Sequence, residues 1–161
     1  MRKGLEPLVA SVEHRVTFSE VDALGYVHHS RAPVWFEMSR EAYYRKFGVE
    51  FVRLSQAGFY LAVRRLQVQY DAFIGYDDVI RVTCALTMIG RVHLDLHYRV
   101  DNLTTGLLAV RGSSNMVSVE EKVSGKPPVL GRLAFERGPF LPRVVKVEDL
   151  LPELEAEAHG G

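Results

Sequence analysis

The segment SEVDALGYVHHSRAPVWFEMS, residues Ser19–Ser39, decides the fold. Its first half is a polar turn that contains an acid, a glycine and two histidines, namely Asp22, Gly25, His28 and His29. After Ser30, apolar residues recur at steps of three and four, which is typical of an amphipathic helix. Ser30 belongs to the residue types that cap helix N-termini. The segment therefore predicts a reactive or structural turn that ends where a helix begins.

The helix is predicted to run from Ser30 to a last turn that contains Arg45 and Lys46, with Gly48 as the residue that ends it. Its buried face is predicted from the spacing of the apolar residues Val34, Trp35, Met38, Ala42, Tyr43 and Phe47. Ahead of the turn, apolar and polar residues alternate, which predicts a half-buried strand. The predicted buried positions of that strand are Val12, His14, Val16 and Phe18.

Downstream of the helix, further runs alternate with a period of two and predict strands at 66–70, 80–88, 92–100 and 107–119. Gly90 separates two of these runs and predicts a tight hairpin. The segment Phe51–Ala57 is predicted to be a short separate element, and the acidic segment Glu148–Ala158 a short helix. One helix is available to cover the apolar face of several antiparallel strands. The predicted fold class is α+β, with a curved antiparallel sheet wrapped around one long central helix.

Composition restricts the class of protein. The chain has 161 residues, enough for one domain with one core, and its 20 basic and 20 acidic residues cancel. A neutral chain offers no charge-based attraction to nucleic acid or to an anionic membrane, and neither is predicted as a partner. Cys84 is the single cysteine, which excludes an internal disulfide and a cysteine-based zinc cluster. With neither a signal-peptide pattern nor a membrane-spanning run, the expected location is the cytoplasm.

The turn and helix also carry a family pattern. The pattern R-x-x-x-x-E-T-D-x-x-G-x-V-Y-H-x-N-Y-x-x-W-F-E is matched in register by Arg15, Glu20, Asp22, Gly25, Val27, His29, Trp35, Phe36 and Glu37. It is the opening motif of the hotdog-fold acyl-CoA thioesterases of the 4-hydroxybenzoyl-CoA thioesterase/YbgC-like group, which this chain resembles. Two weaker matches are YDAFIGYDDVI at Tyr70–Ile80 and the turn SGKPP at 124–128. The resemblance covers about residues 12–130 and implies one hotdog domain over 1–161, with a C-terminal tail at 131–161.

The chemistry of the turn fits thioester hydrolysis. A helix N-terminus has unpaired amides and a positive dipole end that can stabilise an oxyanion, and Asp22 can act as general base or as nucleophile. His29 can orient water or substrate, or donate a proton to the sulfur as it leaves. The alternative is that Asp22 and Gly25 only form the turn. Further substrate contacts are predicted at Gly25, His28, Ser30, Arg31 and Glu37, and at the cations Arg64, Arg65 and Lys126, which are candidates to bind the phosphates of coenzyme A.

Four positions near the turn depart from the family pattern, namely Val21, His28, Arg31 and Ala32. The identity of the acyl group in the substrate is therefore not predicted. No metal site is predicted, because neighbouring His28 and His29 diverge, and His93 and His97 fit a solvated strand face. No cofactor is predicted beyond the coenzyme A of the substrate.

The predicted function is hydrolysis of an acyl-CoA to a free acid and CoA. The alternatives are a thioesterase for acyl carrier protein and a non-catalytic acyl-CoA-binding module. The resemblance further implies a homo-oligomer, a dimer with sheets joined edge to edge or a tetramer, with sites at the subunit interface.

Overall fold

A computed structural model describes residues 9–46, 55–56, 58–120, 122, 129–130 and 147–151. Its elements are β1 (Val9–Arg15), α1 (Arg31–Lys46), β2 (Phe59–Tyr70), β3 (Val79–Ile89), β4 (His93–Asn102), β5 (Leu107–Glu120), β6 (Val129–Leu130) and α2 (Val147–Leu150). A short 3-10 turn at Phe18–Glu20 lies between β1 and the polar turn. Most of the segment predicted at Phe51–Ala57, the predicted helix end at Gly48 and the SGKPP turn lie outside the described residues.

The strands form one antiparallel sheet in the order β1-β3-β4-β5-β2, and β6 adds to the end of β5. β3 and β4 form the hairpin predicted at Gly90. Among the described strands, β2 pairs only with β5, so its other edge is open. The predicted α+β class with one long helix on an antiparallel sheet is confirmed.

α1 lies on one face of the sheet, where close packing holds it. The ring of Phe36 stacks on that of Tyr98 with centroids 4.2 Å apart. Gly112 makes this contact possible, because a Cβ atom there would lie 2.5 Å from the Phe36 ring. α1 packs mainly on β1 and β3 and only lightly on β2, which leaves the inner face of β2 partly open.

The predicted buried face of the helix is wrong at one edge. Val34 is 45% exposed, whereas Arg40 is only 8% exposed. Arg40 donates a hydrogen bond to the hydroxyl of Tyr98, which in turn pairs with Ser114, so a polar network lies under the helix. The apolar spacing alone misses this, because a buried polar group is tolerated only where the sheet supplies partners.

The first strand is shorter than predicted. β1 ends at Arg15, and Phe18, predicted to point inward, lies in the 3-10 turn with 79% of its surface exposed. Apolar and polar residues continue to alternate in the sequence after Arg15, but the backbone there has already left the strand.

Cys84 is fully buried, and burial raises the pKa of its thiol to about 12. The thiol therefore stays protonated at neutral pH.

The opposite face of the sheet carries the polar residues of β4 and the short helix α2. Leu150 and Leu151 pack there against Ala85, and Arg99 donates to the carbonyl of Leu150. Of the predicted acidic helix, only its first residues are described. None of the described helices is long and apolar enough to cross a membrane.

Candidate active site

The polar turn between β1 and α1 has a defined backbone. Asp22 Oδ1 accepts a hydrogen bond from the Leu24 amide at 2.8 Å, and the Gly25 amide donates to the Asp22 carbonyl at 3.0 Å. Gly25 has φ 82°, a left-handed conformation that favours glycine, which explains the glycine of the motif. The other carboxylate oxygen of Asp22 has no hydrogen-bond partner in the described part of the chain. One oxygen fixes the side chain, and the other is free to react.

A second segment, between β2 and β3, packs against this turn. The Val27 amide donates to the Ile74 carbonyl at 2.8 Å, and Tyr26 forms a β-bridge with Gly75. The rings of Tyr26 and Phe73 lie 4.7 Å apart at the rim. The two motifs recognised in the sequence are therefore joined in space by backbone hydrogen bonds.

A cavity of about 410 Å³ opens between the turn, the start of α1 and this second segment. It is lined by Asp22, Val27, His28, His29, Ala32, Trp35, Tyr70, Asp71, Ala72, Phe73, Ile74 and Val110. The polar residues of the turn are exposed, whereas Ala32, Trp35, Ile74 and Val110 are buried. The cavity thus has a polar mouth and an apolar closed end, a common form of ligand site.

Hydrogen bonds hold the histidines at the mouth. The Tyr70 hydroxyl donates a short hydrogen bond to the main-chain carbonyl of His29. His28 Nδ1 lies 2.8 Å from Ser30 Oγ. The side chains of His28 and His29, expected from the sequence to diverge, instead lie together with ring centroids 4.2 Å apart. The position of the turn is therefore set both by its own sequence and by β2.

The first turn of α1 contributes Ala32 to the lining of the cavity. The Arg31 amide is taken by the carbonyl of His28, and Pro33 has no amide hydrogen. Within the described residues, the amide of Ala32 donates to no acceptor, and Ala32 lines the cavity. A free amide at the positive end of a 16-residue helix is a suitable donor to an oxyanion.

Glu20 anchors the turn from behind. Its Oε1 accepts from Trp35 Nε1 at 2.8 Å, and its Oε2 accepts from the Thr17 amide at 2.7 Å and from His14 Nε2 at 2.8 Å. Its main-chain carbonyl accepts from the His28 amide at 2.9 Å. Burial alone would raise the pKa of this carboxyl, but the hydrogen bonds from Thr17, His14 and Trp35 outweigh it and lower the pKa to about 2.

The sequence profile of the thioesterase-like superfamily matches residues 16–139, which include the whole cavity and most of the sheet. The chain belongs to this superfamily. A protein of Aquifex aeolicus (strain VF5), provisionally named an esterase, is 31% identical over 86 residues, 53% of this chain and 67% of the relative.

Solved structures agree with this family in their fold. DHNA-CoA thioesterase from Staphylococcus aureus has 22% identity and a TM-score of 0.69, and the match covers 93% of this chain and 95% of that one. A mutant of 4-hydroxybenzoyl-CoA thioesterase, complexed with 4-hydroxybenzoyl-CoA, has 15% identity and a TM-score of 0.73, with 85% and 99% covered. At these identities the likeness shows the fold alone, and the predicted hotdog fold is confirmed.

Within this thioesterase fold, the residues predicted from the sequence separate into two groups. Asp22, His28 and His29 line the cavity together, and Gly25, Ser30 and Arg31 hold or flank their turn. Glu37 is exposed on α1 and does not line the cavity. Arg64 and Arg65 line a different cavity of about 380 Å³, which includes His93 and His97. Lys126 lies outside the described residues.

That second cavity lies on the other face of the sheet. Arg65 pairs in register with Asn115, and residues of one strand alternate between the faces, so the side chains of Arg65 and Leu66 point to opposite faces. Within one chain, the two arginines are therefore separated from Asp22, and their contact with CoA phosphates stays a prediction. No group of three or more histidine, cysteine or acidic residues within the described ranges is arranged to hold a metal ion.

Several lining residues were not predicted as site residues. Tyr70 is the last residue of β2, Asp71 and Ile74 follow it, and Val110 belongs to β5. Asp71 pairs with Arg111, whose Nε lies 2.9 Å from Asp71 Oδ2. The second motif pointed to the segment that starts at Tyr70. No local pattern pointed to Val110, because it reaches the cavity only through strand pairing.

Proposed function

We propose that this chain hydrolyses an acyl-CoA thioester to the free acid and CoA. The single observation that carries the proposal is that Asp22, with one carboxylate oxygen unpaired in the described part of the chain, and Ala32, with an amide unpaired there, line the same cavity. A carboxylate supplies the base or nucleophile, and the helix N-terminus supplies the donor for the oxyanion. Membership of the thioesterase-like superfamily and the CoA thioesterases with the same fold support this choice.

Two routes fit the site, and both use the same groups. In the general-base route, Asp22 takes a proton from water, the hydroxide adds to the thioester carbonyl, and the C–S bond breaks to release CoA thiolate and the acid. In the nucleophilic route, Asp22 adds to the carbonyl, CoA leaves, and water hydrolyses the resulting anhydride. His29 orients the water or the thioester. Neither route uses a metal or a prosthetic group, and none is proposed.

A panel of acyl-CoA esters, scored by free-thiol release, tests this function. We expect saturable turnover on at least one ester. Saturable binding without thiol release would instead indicate an acyl-CoA-binding module. Turnover of the same acyl group on acyl carrier protein but not on CoA would indicate a carrier-protein thioesterase.

His29→Ala is expected to lower kcat by about a hundredfold, the typical contribution of an acid–base or positioning group. The fold should be retained, because Tyr70 bonds the main-chain carbonyl of His29, which alanine keeps. Circular dichroism and thiol-release kinetics measure the two effects. His93→Ala, on the other face of the sheet, is the matched control and should retain activity within about twofold. An equal, small effect of both substitutions on kcat would show that His29 serves only to form the turn.

We also propose that the active protein is a homodimer or homotetramer. One edge of β2 has no partner among the described strands, and the inner face of β2 carries the exposed apolar side chains Val63 and Leu66. Exposed strand edges favour pairing with another chain, and an apolar face beside such an edge needs a cover. Because β2 also ends at Tyr70 on the cavity wall, a second copy on this edge would lie next to the site.

We also propose a cytoplasmic location, which is supported by the single cysteine Cys84, since its thiol is buried and protonated.

Sedimentation should give at least twice the chain mass of 18.2 kDa. Leu66→Asp places a charge on the apolar face of β2 and should shift the protein toward monomer with a loss of turnover. Leu107→Asp, an exposed leucine at the start of β5, is the control and should leave the mass unchanged. A fully active wild-type monomer would contradict the proposal.

A further inference from the structure

Four buried residues line the closed end of the cavity, namely Ala32, Trp35, Ile74 and Val110, and Trp35 has the largest side chain among them. Trp35 is only 1% exposed and lines the cavity from the side of α1, next to Ala32. The reactive groups Asp22 and His29 lie at the exposed mouth. A thioester whose carbonyl lies at Asp22 therefore extends its acyl group toward the indole of Trp35.

The indole of Trp35 is fixed by a hydrogen bond to a carboxylate. Trp35 Nε1 donates to Glu20 Oε1 at 2.8 Å, and the same carboxylate accepts from Thr17 and His14. Rotation of the ring would leave a buried N–H without a partner, which costs about 1–3 kcal/mol. The wall is therefore rigid and does not move aside for a longer group.

We propose that Trp35, held by Glu20, determines which acyl groups the site accepts, and that it restricts the substrate to compact acyl groups over long alkyl chains. Trp35 acts by direct contact with the acyl group. Glu20 acts through Trp35 and is a positioning residue. This inference rests on the proposed thioesterase function and names the substrate class of the same site.

Trp35→Phe is the first test, with butanoyl-CoA and decanoyl-CoA as paired substrates. The smaller ring opens space at the closed end, so the ratio of kcat/KM for decanoyl to butanoyl should rise by about tenfold or more, in the range that added methylenes produce in apolar pockets. Phe36→Leu is the matched control, because Phe36 is also fully buried on α1 but packs on Tyr98 and does not line the cavity. Equal ratios in both variants and the wild type would overturn the proposal.

The second test needs no variant at Trp35. Trp35 is the only tryptophan of the chain, so its fluorescence reports on this wall alone. Non-hydrolysable S-alkyl-CoA thioethers should change the emission of the wild-type protein increasingly with alkyl length, whereas CoA alone should not. Calorimetric binding of the thioethers with no change in emission would overturn the proposed contact.

Glu20→Gln tests the positioning role. An amide turns one carboxylate oxygen into a donor, which then faces either the Trp35 N–H or the donors of Thr17 and His14. We expect a shifted Trp35 emission and a decanoyl-to-butanoyl ratio raised severalfold. An unchanged emission and ratio in folded protein would remove Glu20 from the proposal. If the wild type hydrolyses no ester, the proposed function fails, and the thioether titration still decides whether Trp35 is the wall.

Discussion

Asp22→Asn is expected to lower turnover on the preferred ester by a factor of about a thousand, equivalent to about 4 kcal/mol of transition-state stabilisation. The substitution preserves the hydrogen bonding of the turn. The side-chain oxygen of asparagine still accepts from the Leu24 amide, so the turn keeps its hydrogen bond. What disappears is the free carboxylate oxygen at the mouth of the cavity, which is the base or nucleophile in both proposed routes.

Thiol-release kinetics and calorimetry with a non-hydrolysable thioether separate turnover from binding in this variant. Binding should survive, and it should tighten if the carboxylate repels the ligand. Glu41→Gln is the control, since Glu41 is an exposed carboxylate on α1 that pairs with Arg45 at the surface. It should keep wild-type rates. Near wild-type turnover of folded Asp22→Asn would refute the proposed mechanism.

Glu20 is expected to contribute about 3 kcal/mol to stability at neutral pH, because its pKa of about 2 lies below the ordinary value of 4.5. A carboxyl with a lowered folded-state pKa stabilises the fold at pH values above its unfolded pKa. That contribution is lost as the pH falls from about 4.5 through about 2. The difference in unfolding free energy between wild type and Glu20→Gln should therefore shrink over this window.

Urea unfolding at a series of pH values measures that difference. Glu13→Gln is the control, because Glu13 pairs with Arg81 at the surface, where ion pairs contribute about 0–1 kcal/mol. Its effect should be small at every pH. A difference between wild type and Glu20→Gln that stays constant from pH 7 to pH 2 would show that the network does not depend on the charge of Glu20.

Local features of the site were predictable because their causes are local. Asp22, Gly25 and His29 are close in sequence, and a turn stabilised by its own hydrogen bonds and a left-handed glycine keeps them together. The helix after Ser30 follows from apolar spacing, and the strands follow from alternation. The roles of Glu20 and Trp35 were not predictable in the same way. Both belong to the motif, but their hydrogen bond depends on how α1 packs against β1.

The sequence by itself determined the α+β class, the helix, the β3–β4 hairpin and the grouping of Asp22 with His29. Only the tertiary structure decided that Val110 joins the cavity and that Arg64 and Arg65 lie on the other face of the sheet. Local periodicity reflects backbone geometry over a few residues, whereas these positions depend on strand order, register and the irregularity between Val63 and Arg65 in β2. Strand order and register depend on contacts between residues far apart in the chain, and no short segment encodes them.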